Sequence, residues 1–115
     1  MKYFRLEEFN CTHTDKNEMD PEFLEKLDAL REECGFPFRI TSGYRDSTNP
    51  SESKKENPGT HNQGIAADIA VTNGKDRMNI VHWALKMNFG GIGVAKTFVH
   101  VDDRKTTPVM WTYSN

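Results

Sequence analysis

Between Pro21 and Gly35 the apolar residues recur at helical spacing. Phe23, Leu24, Leu27, Leu30 and Cys34 form one stripe, which predicts a helix with a single buried face. Asp20 is placed to cap its start, Pro21 suits the first turn, and Glu22 favours the positive end of the helix dipole. Gly35 stands where a left-handed stop is expected, and Pro37 blocks continuation. The period then changes. Phe38 to Thr41 reads as a short strand. Ile65 to Val71 alternates, with Ala66, Asp68 and Ala70 on one side and Ile65, Ala67, Ile69 and Val71 on the other. Thr72, Asn73 and Gly74 form a turn. A second helix is predicted from about Asp76 to Met87, with Met78, Val81, Ala84 and Leu85 on its buried face. Ile92 to Val94 and Phe98 to Val101 read as two strands joined tightly around Ala95 and Lys96. The tail from Pro108 to Asn115 is read as a final short strand or as a cover over the core. This order of elements predicts an α+β fold with an antiparallel sheet.

A long polar segment, Asp46 to Thr60, interrupts the pattern and carries Pro50, Pro58 and Gly59. Loops of that length in small domains tend to serve a function. This one ends directly at His61, which suggests a loop that flanks a substrate; Lys54 and Lys55 within it are read as a solvated charge cluster. Nothing marks a domain boundary or a repeat, so residues 1–115 read as one domain.

Composition narrows the function classes. Apolar residues make up 36 %, enough for one core in a loop-rich domain. The 15 basic and 17 acidic side chains leave a formal net charge of -2, so no broad positive field is expected and a nucleic-acid partner is disfavoured. No apolar run approaches the roughly 20 residues of a membrane span. The opening, Met1 to Glu8, has no apolar signal core. The chain is thus expected to be made in the cytoplasm and to need delivery if its substrate lies outside. Cys11 and Cys34 are read as reduced thiols, Cys34 as a small buried hydrophobe. Cys11 and His13 have a close C-x-H spacing but amount to only two ligands for a second zinc.

Candidate chemistry gathers in two glycine-bearing segments, Gly59 to Val71 and Gly90 to Arg104. They hold His61, Asp68 and His100. Two imidazoles and a carboxylate suit Zn²⁺, and three protein ligands leave a fourth position for water. A zinc so held polarises a carbonyl and activates water near neutral pH. Each residue also has an ordinary reading: His61 as a surface or cap residue, Asp68 as a buried acid satisfied by amides, His100 as a strand histidine in a hydrogen-bond network. Trp83 and Trp111 are read as core residues rather than substrate platforms. His82 is read as structural, and His13 has no assigned role.

The spacing His61-x-x-Gly64-x-Ala66-x-Asp68, followed by His100-Val101-Asp102, resembles the zinc site of the M15 peptidases. These are the zinc D-alanyl-D-alanine carboxypeptidases and related phage endolysins, whose fold is shared with Hedgehog signalling domains. Ile40 to Arg45 resembles the family's SGYR motif, and Phe4 to Phe9 and Leu24 to Leu27 resemble its opening. The likeness runs from about Tyr3 to Arg104, in the manner of the short single-domain members. It implies a Hedgehog/DD-peptidase-like fold, with helices packed on a small antiparallel sheet, and Zn²⁺ held by His61, Asp68 and His100. It also implies that Arg45 contacts the substrate and steadies the oxyanion, where the ordinary alternative is an ion pair with Asp46 or Asp102. Ser42 would orient the site or the substrate, or merely end a strand. Gly64 would permit a close backbone approach.

One departure stands out. Many members place a catalytic carboxylate three residues before the last zinc histidine; here that residue is Thr97. Asp102 shares a strand face with His100 and is the next candidate. It would act as general base, or it would hold a ligand histidine or Arg45 in place. Asp103 should face away, toward solvent or Arg104. The expected activity is zinc-dependent hydrolysis of an amide bond in a peptidoglycan stem peptide, by a monomer acting at the bacterial cell wall. The alternative, kept open by Thr97, is an inactive zinc-containing binding or structural module of a cell wall or phage particle.

Overall fold

The computed structural model describes residues 1–48 and 59–114. Most of the Asp46–Thr60 loop, with Lys54 and Lys55, therefore lies outside the described residues. After a 3₁₀ turn at Leu6–Phe9, the elements run α1 (Pro21–Cys34), β1 (Ile40–Ser42), β2 (Ala66–Ala70), α2 (Gly74–Lys86), β3 (Gly91–Val94), β4 (Phe98–Asp102) and β5 (Val109–Thr112).

Helix α1 forms for the reasons its sequence gives. The Asp20 carboxylate accepts a hydrogen bond from the Phe23 amide, Pro21 opens the helix, and Gly35 closes it at φ 76°. Phe23, Leu27 and Leu30 are fully buried, each worth about 1.5–3 kcal/mol of burial. Asp28 lies on the same buried side. Its carboxylate accepts from the Lys2 and Tyr3 amides, both at 2.9 Å, and so ties the N-terminus to the helix.

The strands form one sheet in the order β1-β2-β4-β3-β5. The first four are antiparallel neighbours, and β5 adds to β3 as a parallel edge strand. The α+β class and the antiparallel core of the sheet are as expected, and the tail takes the strand option. One sheet face meets the helices. Ala67, Ile69 and Val71 join Ile92, Val99, Val101 and the α1 stripe in the buried cluster. The alternation read along β2 is thus real: its even-numbered residues turn to the other face.

Helix α2 corrects one expectation. It packs on β3 and β4 through Ile80 and Ala84, with Val81, Trp83 and Met87 at the flanks. Met78 and Leu85, expected inside, are 75 % and 56 % exposed. The cause is Arg77. Its guanidinium donates to the Ala95 and Lys96 carbonyls at 3.2 and 2.6 Å, clamping the helix to the β3–β4 turn. Arg77, Ile80 and Ala84 share a face, which turns Met78 and Leu85 outward.

Candidate metal centre and cleft

The face of the sheet away from the helices carries a row of aligned residues across all strands. Ser42 pairs with Asp68, Asp68 with His100, His100 with Gly93, and Gly93 with Trp111. Adjacent partners in a sheet point to the same side, so the register alone places Asp68 beside His100.

His61 comes from the loop before β2, and the β1 exit holds it. Its Nδ1–H donates to the Gly43 carbonyl at 2.7 Å, because a carbonyl can only accept. The Arg45 amide donates to the His61 carbonyl, and the Asn62 side chain donates to the Arg45 carbonyl. Gly43 to Arg45 and His61 to Asn62 are thereby one unit. Gly64, at φ 75°, closes that loop against α1: a side chain there would strike the Glu18 carbonyl, and the Gly64 carbonyl accepts from the Asp20 amide.

With Nδ1 engaged, His61 turns Nε2 toward Asp68, 3.2 Å from Oδ1. His100 reaches the same oxygen with Nδ1 at 3.0 Å. Ligand atoms of His61, Asp68 and His100 all lie within 4.8 Å of one another, and all three residues are buried. Donor atoms about 2.1 Å from a tetrahedral zinc would sit about 3.4 Å apart. The two nitrogens and the carboxylate therefore fit that ion in type, number and spacing. Among the described residues this is the one group of His, Cys and acidic side chains that can hold a metal; Cys11 and His13 form no part of it.

The far side of His100 is also held. Its Nε2–H donates to Asp102 Oδ2 at 2.7 Å. Asp102 is fully buried and accepts from Arg104 three more times, from Nε, Nη2 and the backbone amide. Room for this carboxylate exists because Gly91 faces it; a Cβ there would overlap it. Asp102 does share the face of His100, as the alternation required. It stands behind the imidazole, however, on the edge opposite the Nδ1 that faces Asp68, and it does not line the cleft.

Charge follows the geometry. Burial pushes the Asp68 carboxyl up, but hydrogen bonds and charge from His100 and His61 outweigh this and hold it well below the carboxylate range. Asp102 is likewise held low against its burial, by Arg104 and His100. His100 is lowered by burial yet raised overall by Asp102 and Asp68. Both acids thus stay ionised, and the imidazole between them is oriented at both nitrogens.

Above this floor opens a cleft of about 710 Å³, bordered by Arg45, Gln63, Ile65, Phe98, Trp111 and Tyr113 among others. Arg45 donates from Nε to Ser42 Oγ at 3.2 Å, and its Nη2 lies 3.6 Å from Asp68 Oδ2. Among the described residues its ionic partner is Asp68, where Asp46 or Asp102 was the ordinary expectation. Asp103 faces away, as expected, but pairs with Lys26 and Lys105, leaving Arg104 to Asp102. Thr97 is exposed beyond the cleft. His13 and His82 are exposed as well.

Two features escaped the sequence reading. Trp111, expected in the core, stands in the cleft with its ring centre 5.1 Å from that of His100. Arg104 is the main partner of Asp102. The available signals were the Gly91 and Gly93 pair on alternate positions of β3, and the Trp-x-Tyr alternation at Trp111 and Tyr113.

The peptidase M15 family model matches residues 2–102. The comparison with curated proteins returns no match. The matched span contains His61, Asp68, His100 and the Gly43–Arg45 brace, and it takes in most of the chain. The chain belongs to the peptidase M15 family.

Proposed function

We propose that this M15 peptidase is a zinc enzyme that hydrolyses an amide bond in peptidoglycan stem peptides. The observation that carries the reading is the convergence of His61 Nε2, Asp68 Oδ1 and His100 Nδ1 at the floor of an open cleft. Zinc bound there would supply a Lewis acid for the scissile carbonyl and make a nucleophile of water at neutral pH. The chain's own residues would do the rest. The Gly43 carbonyl and Asp102 hold one nitrogen of each imidazole, which would leave Nε2 of His61 and Nδ1 of His100 as the atoms to hold the ion. Arg45, half-buried at the rim and steadied by Ser42, is placed to donate to the carbonyl oxygen as it gains charge. Of the two roles open to Asp102, its position behind His100 favours positioning over proton transfer. The protein would act as a monomer, on walls to which it is released or delivered.

Incubating the zinc-loaded protein with intact muropeptides, followed by mass spectrometry, tests this directly. The expected products carry one added water at a peptide amide. Intact muropeptides with full zinc occupancy would overturn it. A second reading, a zinc-containing module that binds without cleaving, is favoured by one observation: Asp68 is the only carboxylate lining the cleft among the described residues. Saturable binding of muropeptides without turnover is its signature.

A further inference from the structure

The family match ends at Asp102, yet the cleft does not. Its wall beside His100 is built by β5 and the residue just after it. None of the β5 side chains belongs to the buried core cluster, and Val109 and Met110 are 44 % and 49 % exposed. A strand kept only for stability would bury its tryptophan under the helices. This one sets Trp111 against the candidate metal centre.

The sheet is shaped to receive these rings. A Cβ on Gly93 would stand 2.7 Å from the Trp111 indole and 2.8 Å from the Tyr113 ring. Only a residue without a side chain at this point of the Asp68–His100–Gly93–Trp111 row lets both rings lie over the sheet. The Arg104 guanidinium, anchored on Asp102, lies 5.0 Å over Trp111. Tyr113 packs 4.9 Å from Phe98. The result is an aromatic wall on one side of the cleft.

We propose that Trp111 and Tyr113 are specificity-determining residues: their rings hold the aliphatic side chain of the substrate residue that precedes the one carrying the scissile carbonyl. The proposal rests on the peptidase reading and adds the class of side chain selected. Aromatic faces present polarisable apolar surface to C–H groups, and they lose little freedom on binding because each ring has only two side-chain torsions. A glycine in the same substrate position would leave the wall uncovered.

The test uses the full chain loaded with zinc and the peptides acetyl-L-Lys-D-Ala-D-Ala and acetyl-Gly-D-Ala-D-Ala. Wild type is expected to show a KM about tenfold lower for the lysyl peptide, a contrast the size of one good aromatic contact. Trp111→Ala should erase that contrast by raising KM for the lysyl peptide about tenfold. Its kcat, zinc content and melting temperature should stay near wild type, and Trp111→Phe should restore most of the effect. Trp111→Ala losing kcat at constant KM, or keeping the contrast, overturns the proposal. A second readout does not need turnover. With two tryptophans in the chain, Trp83→Phe leaves Trp111 as the sole emitter. A saturable change in its emission on adding the lysyl peptide, absent with the glycyl peptide, supports the wall; equal or no response overturns it. Should wild type cleave neither peptide, the peptidase reading fails on these substrates and the emission titration alone decides the wall.

Discussion

The two faces of one sheet follow opposite rules. The helix-facing side is made of interchangeable parts: Ile69, Ile92, Val99 and Val101 share one cluster with α1 and α2, and a neighbour can partly close the space left by any of them. The cleft-facing side is a single file of Ser42, Asp68, His100, Gly93 and Trp111, one residue from each strand. Stability is therefore expected to reside in the first face and chemistry in the second. Substitutions should separate the two cleanly.

The largest effect belongs to the file. His61→Ala or His100→Ala should abolish stoichiometric zinc binding and amide hydrolysis together, while the metal-free fold persists by circular dichroism. The opposite face should give the reverse. Ile69→Ala, fully buried in wild type, should cost about 2–5 kcal/mol of unfolding free energy in urea titrations and leave zinc stoichiometry at native conditions intact. A core variant that lost zinc while still folded would break the separation.

Asp102 sharpens the contrast, because it is buried like a core residue yet serves the file. Asp102→Asn removes the charge that holds His100 Nε2–H, and should weaken zinc affinity about 10–100-fold. Zinc affinity at the wild-type level with turnover lost would instead make Asp102 a proton-transfer group. Gly93→Ala comes next. It should push the Trp111 and Tyr113 rings aside, raising KM several-fold with zinc affinity unchanged. Thr97→Val marks the small end: Thr97 stands outside the cleft, so kcat/KM should not move.

What the sequence revealed tracks how local the physics is. Helix α1 was legible in full, because its stripe, Asp20 cap and Gly35 stop all act within a few residues. The odd–even split of β2 was legible too, since strand alternation needs no knowledge of the partner. On α2, Ala84 and Val81 were placed correctly, but Met78 and Leu85 were not: the buried face centres on Ile80 and Ala84 and is extended by Arg77, which donates to carbonyls of a turn 18 and 19 residues ahead. Nothing near Arg77 in the chain announces those acceptors. The position of Trp111 was hidden for the same reason. Its environment is set by a parallel pairing to Gly93, and a tail of ordinary apolar composition does not show which strand it will join. The candidate metal ligands were readable only as residue types in a resembling motif. Their convergence on one oxygen depends on the β2–β4 register and on the Gly43 carbonyl, both long-range.

Titration of Zn²⁺ into the metal-free chain, followed calorimetrically and repeated on His61→Ala, Asp68→Asn and His100→Ala, bears most directly on the claim that three side chains form one centre. The expected result is one tight site per wild-type chain, lost in every variant. Undiminished one-to-one binding in any of them, or no binding by wild type, would contradict the account.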